Sequence, residues 1–340
     1  MGILSRWLSR RSTAEPGDLR QFKEIVERVV ALSPSLRFAR DYESRVIGAA
    51  REAVSHVRRL VDDVPPAREA SAAAWAGDPY IHAFFAAPDD VCAALSASEE
   101  LRAHFRIHPD ADEAFAVLGM AIAERHVSGV AQHGDATHTD VAQTTVNFSD
   151  HQVRVCALSE HALRHEIGLR IVDQLVLEGL GKIDGEAQRQ DSLERERALL
   201  KTRVAILERQ GTGVRSLLGS DASSMLGDVA RLRAQIKEND EALAQLPPRT
   251  DAIERQLEVI CGVLGAPESH FHVLTKHYLL DPMNVVVEQR DARPATQIEL
   301  RIARVPASLA AMRAFSLVRF RRDDLLPAGD MLTRARRLVI

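Results

Sequence analysis

Between Asp184 and Leu246 the chain carries a pattern that restricts what the rest of it can build. Leu193, Leu200, Val204 and Leu207 recur at heptad-like steps among alternating charges. Met225, Val229, Leu232, Ile236, Leu243 and Leu246 keep the same three-four rhythm, with polar Asn239 filling one seam position. The stretch between them, "QGTGVRSLLGSDASS", holds Gly211, Gly213 and Gly219. Two apolar stripes at helical spacing, joined by a glycine-rich turn, predict an inserted antiparallel helical hairpin that is coiled-coil-like along its arms. Pro247-Pro248 closes it, because proline cannot continue a helix.

This hairpin divides two β-rich blocks. Upstream, "RHVSGVAQ", "HTDVAQTTVNFS" and "QVRVCAL" read as consecutive strands with turns at Gly134 and at Asp150-His151. Val141, Thr145, Val146, Phe148, Val153 and Val155 supply their β-branched and aromatic content. Downstream, "FHVLTKHYLL", "MNVVVEQ", "QIELRIARV" and "AFSLVRFRR" have the same character. Ile298, Leu300 and Ile302 alternate with Glu299, Arg301 and Ala303, as in a half-buried antiparallel strand. The two ends of a helical hairpin lie close together, so both blocks can belong to one α+β domain from which the hairpin protrudes. Two separate small sheets are the other arrangement.

Helical spacing dominates elsewhere. Ala39, Tyr42, Val46, Ala49, Ala53, Val57, Leu60 and Val64 form one stripe, stopped by Pro65-Pro66. Asp78-Pro79 reads as an N-cap followed by a first helical position. Asp110 opens a helix with Phe115, Leu118 and Ile122 as its stripe. Ser159 caps a largely apolar helix that ends at the glycines of "GLGKIDG". The expected class is therefore α+β, mostly α, with a small antiparallel sheet. A flexible basic amphipathic N-terminus covers 1–17, a helical bundle 18–123, the α+β domain 124–183 and 249–330, the hairpin 184–248, and a basic tail 331–340.

Composition removes several functions. The 340 residues carry a formal net charge of -4 and 4% aromatics, a poor basis for neutralising phosphates or stacking bases. "RFRR" at Arg319–Arg322 and "RARR" at Arg334–Arg337 read as solvated charges. Cys92, Cys156 and Cys261 are widely spaced thiols of a cytoplasmic protein rather than a disulfide scaffold. Abundant Ala and Arg with rare Lys point to a GC-rich bacterial coding sequence. "EGLGKIDG" lacks the Ser or Thr and the earlier glycine of a phosphate loop, and "GTGVRSLLG" is not a dinucleotide motif. No cofactor is expected.

What remains as chemistry is narrow. His161 and His165 stand at i and i+4, so they share a helix face and can chelate one ion, the basis for a metal-dependent hydrolase. Glu166 does not stand where H-E-x-x-H or H-x-x-E-H requires it, and a third ligand is unidentified. His133, Asp135, His138 and Asp140 form a looser group, and Cys156 near His161 reads as a small core residue. With no coherent catalytic constellation, the leading expectation is a non-catalytic interaction or scaffold protein acting through the hairpin. It would bind another protein or a second copy of itself, with contacts at the tip through Val214, Arg215, Leu217 and Leu218. Ile3, Leu4, Trp7 and Leu8 lie on one arc of an N-terminal helix beside Arg6 and Arg10, which allows a peripheral membrane contact through residues 1–11.

Overall fold

The computed structural model describes residues 16–133, 136–214, 222–246, 251–287, 294–304 and 313–327. The chain is a mostly helical α+β protein with a curled antiparallel sheet. It divides into two compact units, one ending at Ala50 and resuming over Leu175–Gly265, the other formed by Arg51–Gln174 with the chain from Ala266 onward.

The first unit is helical. It holds α1 (Pro16–Leu32), the first part of α2 (Tyr42–Asp62), most of α7 (Glu160–Val214), α8 (Ala222–Ala244) and α9 (Ala252–Gly265). Ile25, Val29, Leu36, Val46, Leu175, Val176, Leu257 and Ile260 are among its buried side chains. Gln256 of α9 accepts from Ser33 and Ser35 beside Pro34, where proline has ended α1. Further along, Leu200, Val204 and Leu232 are buried with Leu207, Val229 and Ile236 packed around them. Arg197 bonds Asp240 at 3.0 Å and Arg233 bonds Glu208 at 2.7 Å between α7 and α8.

The second unit is built on the sheet. Its strands are β1 (Arg68–Glu69), β2 (Glu113–His133), β3 (Ala136–Ala157), β4 (His272–Leu280), β5 (Thr296–Arg304) and β6 (Arg313–Arg321). The order is β3-β2-β6-β5-β4, with β1 parallel to β6. The two β-rich blocks of the sequence therefore share one sheet. Beyond β4 the chain turns back: Val287 donates to Leu279, and Val286 donates to Thr144 of β3. That return brings the two ends of the sheet together. Ala114, Ala116, Leu118 and Met120 of β2, Tyr278, Ile298, Leu300 and Phe320 form its concave core. The helices α3 (Ala72–Trp75), α4 (Pro79–Phe84), α5 (Pro88–Ser96) and α6 (Glu99–Ile107) pack Trp75, Ile81, Phe84, Leu95, Leu101 and Phe105 against the same cluster. Asp78 caps α4 through Tyr80 and Ile81, as its sequence position implies.

Three sequence expectations change here. The helix drawn from Asp110 through Ile122 is the first half of β2. One face carries Ala114, Ala116, Leu118 and Met120, while Phe115 and Val117 pack on the other beside Leu163 and Leu317. A strand covered on both faces shows no polar alternation, so its apolar run resembles a helix stripe. Secondly, Asp150-His151 is not a turn. β3 continues through it, with Gly119 opposite Gln152 and Ala121 opposite Ser149, so both residues stand against Met120 alone. This is a β-bulge, with Asp150 at φ 50. A second bulge puts Val155 at φ 56, an arrangement that costs a β-branched residue about 1–3 kcal/mol and turns its side chain into the outer cluster.

Thirdly, "GLGKIDG" does not end a helix. α7 runs unbroken through Gly179, Gly181 and Gly185 to Val214. A Cβ on Gly179 would lie 3.0 Å from Ile260 Cγ1 and 3.1 Å from Ile260 Cα. The glycine is there for close approach of α9, not for a cap.

Candidate functional site

His161 and His165 both lie exposed near the start of α7. The residues between and beside them are engaged in structural work. Arg164 donates to Val61 at 2.6 Å, Val64 at 2.8 Å and Pro65 at 3.2 Å, closing the carbonyls at the C-terminus of α2. Glu160 braces that guanidinium at 2.7 Å and accepts from the Ala67 N–H. Glu166 pairs with Arg170 at 2.9 Å. Among the described residues no group of three His, Cys, Asp or Glu side chains is placed to hold a metal ion. Asp135 falls outside the described residues, and so do Arg215, Leu217 and Leu218, expected above as contact residues; Val214 is the last residue of α7.

The thiol of Cys156 is pushed up to about 12, first by burial and then by the Glu100 carboxylate. A thiol so disfavoured as thiolate is a poor nucleophile at neutral pH. The "RFRR" run is likewise occupied. Arg319 meets Glu69 at 3.2 Å and Glu113 at 3.7 Å, and Arg322 donates to Ala111, Phe105 and His108 at the end of α6. Arg319 and Arg322 therefore tie elements of the fold together.

A polar cluster that sequence reading missed lies at one end of the concave face. Tyr278 of β4 donates to Glu124 of β2 at 2.5 Å, and Lys276 donates to the same carboxylate oxygen. His126 meets the Thr144 hydroxyl at 3.0 Å nearby. Residues 124 and 276 are far apart in sequence, and only the curl of the sheet joins them. Glu124 is held below the usual carboxylate range by the Lys276 and Tyr278 hydrogen bonds. The bond to Glu124 raises Lys276, and burial raises Tyr278. Each shift moves its group away from reactivity: the carboxylate is a weaker base, and the amine and phenol are harder to deprotonate. The trio is a clasp between β2 and β4. In the helical unit, a cleft of about 600 Å³ between Arg45, Glu254 and Arg255 is similar in kind. Its charges are paired with one another, Arg45 with Glu254 at 2.6 Å and Arg255 with Glu258 at 3.7 Å.

Compared with known proteins, the chain matches no family model, no curated protein and no solved structure. Leu177, Leu199 and Ile206 of α7 are 46%, 68% and 50% exposed. At 3.6 residues per turn they fall within about 40° of one another. Ala198, Thr202 and Ala205 are exposed beside the last two. The distal part of α7 thus has two apolar stripes, Leu200–Val204–Leu207 toward α8 and this second one facing outward. Its signal is present in the sequence as an i, i+7 repeat, but the heptad seam next to it attracts all the attention.

Burial also sets a pH response. His104 is 7% exposed, its Nε2 has no partner among the described residues, and its pKa is lowered by burial, then by His108 and Arg322. His151, stacked on Phe85 at 4.5 Å, is lowered mainly by burial as well. Both rings are favoured neutral in the fold, while an unfolded histidine protonates near pH ~6.5. Stability that is complete above that pH is expected to drain away as pH falls toward the folded-state values. Urea midpoints at pH 7.5 and pH 5.5 check this. His104→Phe, which has no ring nitrogen to protonate, is expected to flatten the acid slope, and an unchanged slope would contradict the assignment.

Proposed function

We propose that this chain is a non-catalytic interaction or scaffold protein, working through α7 and α8 as a coiled-coil-like antiparallel hairpin. The observation that carries the reading is the outward stripe. A pair of helices that needed only to bury its own seam would not leave Leu199 and Ile206 in solvent on an otherwise charged surface. The clusters that resemble active sites support it from the other side, since Cys156, Lys276 and Tyr278 are all shifted toward unreactive forms. No helix among the described residues is long and apolar enough to cross a membrane.

The test replaces residues 186–246 by a short linker and compares the complexes that the two proteins capture from the native host. The hairpin-deleted protein is expected to lose its partner while the sheet unit keeps its cooperative unfolding. A complex that survives the replacement unchanged would overturn the proposal.

A further inference from the structure

We infer that the outward face of α7 between Arg195 and Arg209 docks an acidic amphipathic helix of a partner protein. This rests on the reading of the hairpin as an interaction module and specifies what it recognises. Ala198, Leu199, Thr202, Ala205 and Ile206 make an exposed stripe with the i, i+3, i+4, i+7 spacing of a helix-on-helix interface. Leu199 and Ile206 are the knobs. The short side chains of Ala198, Thr202 and Ala205 leave room between them for the knobs of a second helix.

Charge selects the occupant. Arg195 and Arg203 are exposed along this stretch with Glu196 beside them, and toward its end stand Glu208, paired with Arg233, and Arg209, which has a polar partner of its own. The chain as a whole carries -4, so the face is locally basic on an acidic protein. A helix with Asp or Glu flanking its apolar stripe complements it. A second copy does not. Antiparallel pairing centred on Thr202 matches Ala198 with Ile206 and Leu199 with Ala205, but sets Arg195 of one copy against Arg209 of the other. Parallel pairing sets each arginine beside its own counterpart, and like charges across an interface are disfavoured. An anionic lipid surface matches the charge but not the shape. Interfacial helices bury broad rows of Trp, Phe and Leu, whereas this stripe is narrow and mostly of small residues.

The experiment uses the full chain and a labelled synthetic peptide of about three heptads, with Leu and Ala on its apolar stripe and Glu at the flanks. Its control has Lys at every flank. Fluorescence anisotropy is expected to show binding of the Glu peptide and none of the Lys peptide at the same concentrations. Leu199→Glu with Ile206→Glu is expected to weaken binding by more than about tenfold, and Arg195→Glu with Arg203→Glu to weaken it and remove its salt dependence. These positions are exposed, so circular dichroism of the variants should match the unaltered protein. Equal binding of the Lys peptide, absence of Glu-peptide binding, or variants that bind as before would overturn the proposal. So would a sedimenting dimer dissolved by Leu199→Glu, which assigns the face to a second copy, or flotation on vesicles containing anionic phospholipid, which assigns it to a membrane. If the native complex depends on residues 186–246 but not on Leu199 and Ile206, the hairpin remains the interaction module and this face is not its docking site.

Discussion

Arg164→Met is expected to destabilise the sheet unit by about 2–3 kcal/mol, because one guanidinium bonds three carbonyls at and just beyond the end of α2, where Val61 accepts from the Val64 N–H as well. Removing one partner of a buried hydrogen bond is more damaging than the net worth of that bond, since the groups left behind stay desolvated. The side chain is 21% exposed and its Glu160 partner 30%, so solvent screens the ion pair itself only in part. Methionine keeps most of the apolar stem, which isolates the polar loss. Arg164→Lys is expected to fall between the two, because an ammonium cannot present the planar fork that reaches Val61, Val64 and Glu160 together. Urea midpoints for the three proteins, read on a signal from the sheet unit, decide the matter. A midpoint unmoved in Arg164→Met would mean that water replaces the guanidinium at no cost.

The same clamp bears on how His161 and His165 should be understood. They flank a helix turn whose other side chains lock α7 to the end of α2 and, through Leu163, to the outer face of the sheet. From the sequence, His161, Arg164, His165 and Glu166 look alike as polar residues on a helix start. Only the positions of Val61, Val64 and Pro65 reveal that Arg164 closes the end of α2. Sequence spacing reports which residues share a face; it does not report what that face meets.

Legibility followed the same division throughout. β5 could be read because one of its faces is polar, so Ile298, Leu300 and Ile302 stand out against Glu299 and Arg301. β2 could not, because Phe115 and Val117 are covered by one layer and Ala116 and Leu118 by another. Asp150-His151 had the composition of a turn, yet its left-handed residue serves a bulge inside a long ladder, where Arg313 holds the Asp150 carboxylate and Phe84 accepts from the His151 ring. Local sequence favours both outcomes equally, and the pairing partner on β2 selects between them. The Glu124–Lys276–Tyr278 clasp was beyond reach for a different reason. It exists only because the sheet curls, and curl is a property of the whole set of strands.

Glycine gives the sharpest separation between composition and context. Gly179, Gly181 and Gly185 lie within two turns of one helix, and a helix interior ordinarily gains from replacing glycine by alanine. Gly181→Ala and Gly185→Ala are each expected to stabilise the helical unit by about 0.5–1 kcal/mol, since a Cβ at either position meets nothing within 4 Å. Gly179→Ala is expected to reverse the sign. Its Cβ would press on Ile260 at 3.0 Å and 3.1 Å, and the nearer contact involves a branched side chain while the other is backbone, so neither can move aside alone. Gly179→Val adds two methyl groups to the same gap and is expected to cost about 2–3 kcal/mol by forcing α7 and α9 apart. Thermal or urea unfolding of the four single variants measures this directly. Opposite signs within one short stretch would establish that α7 is continuous there and that its glycines do two different things. A uniform gain across all three would instead mean that α9 does not pack against Gly179, and a uniform loss would restore "GLGKIDG" as the end of a helix.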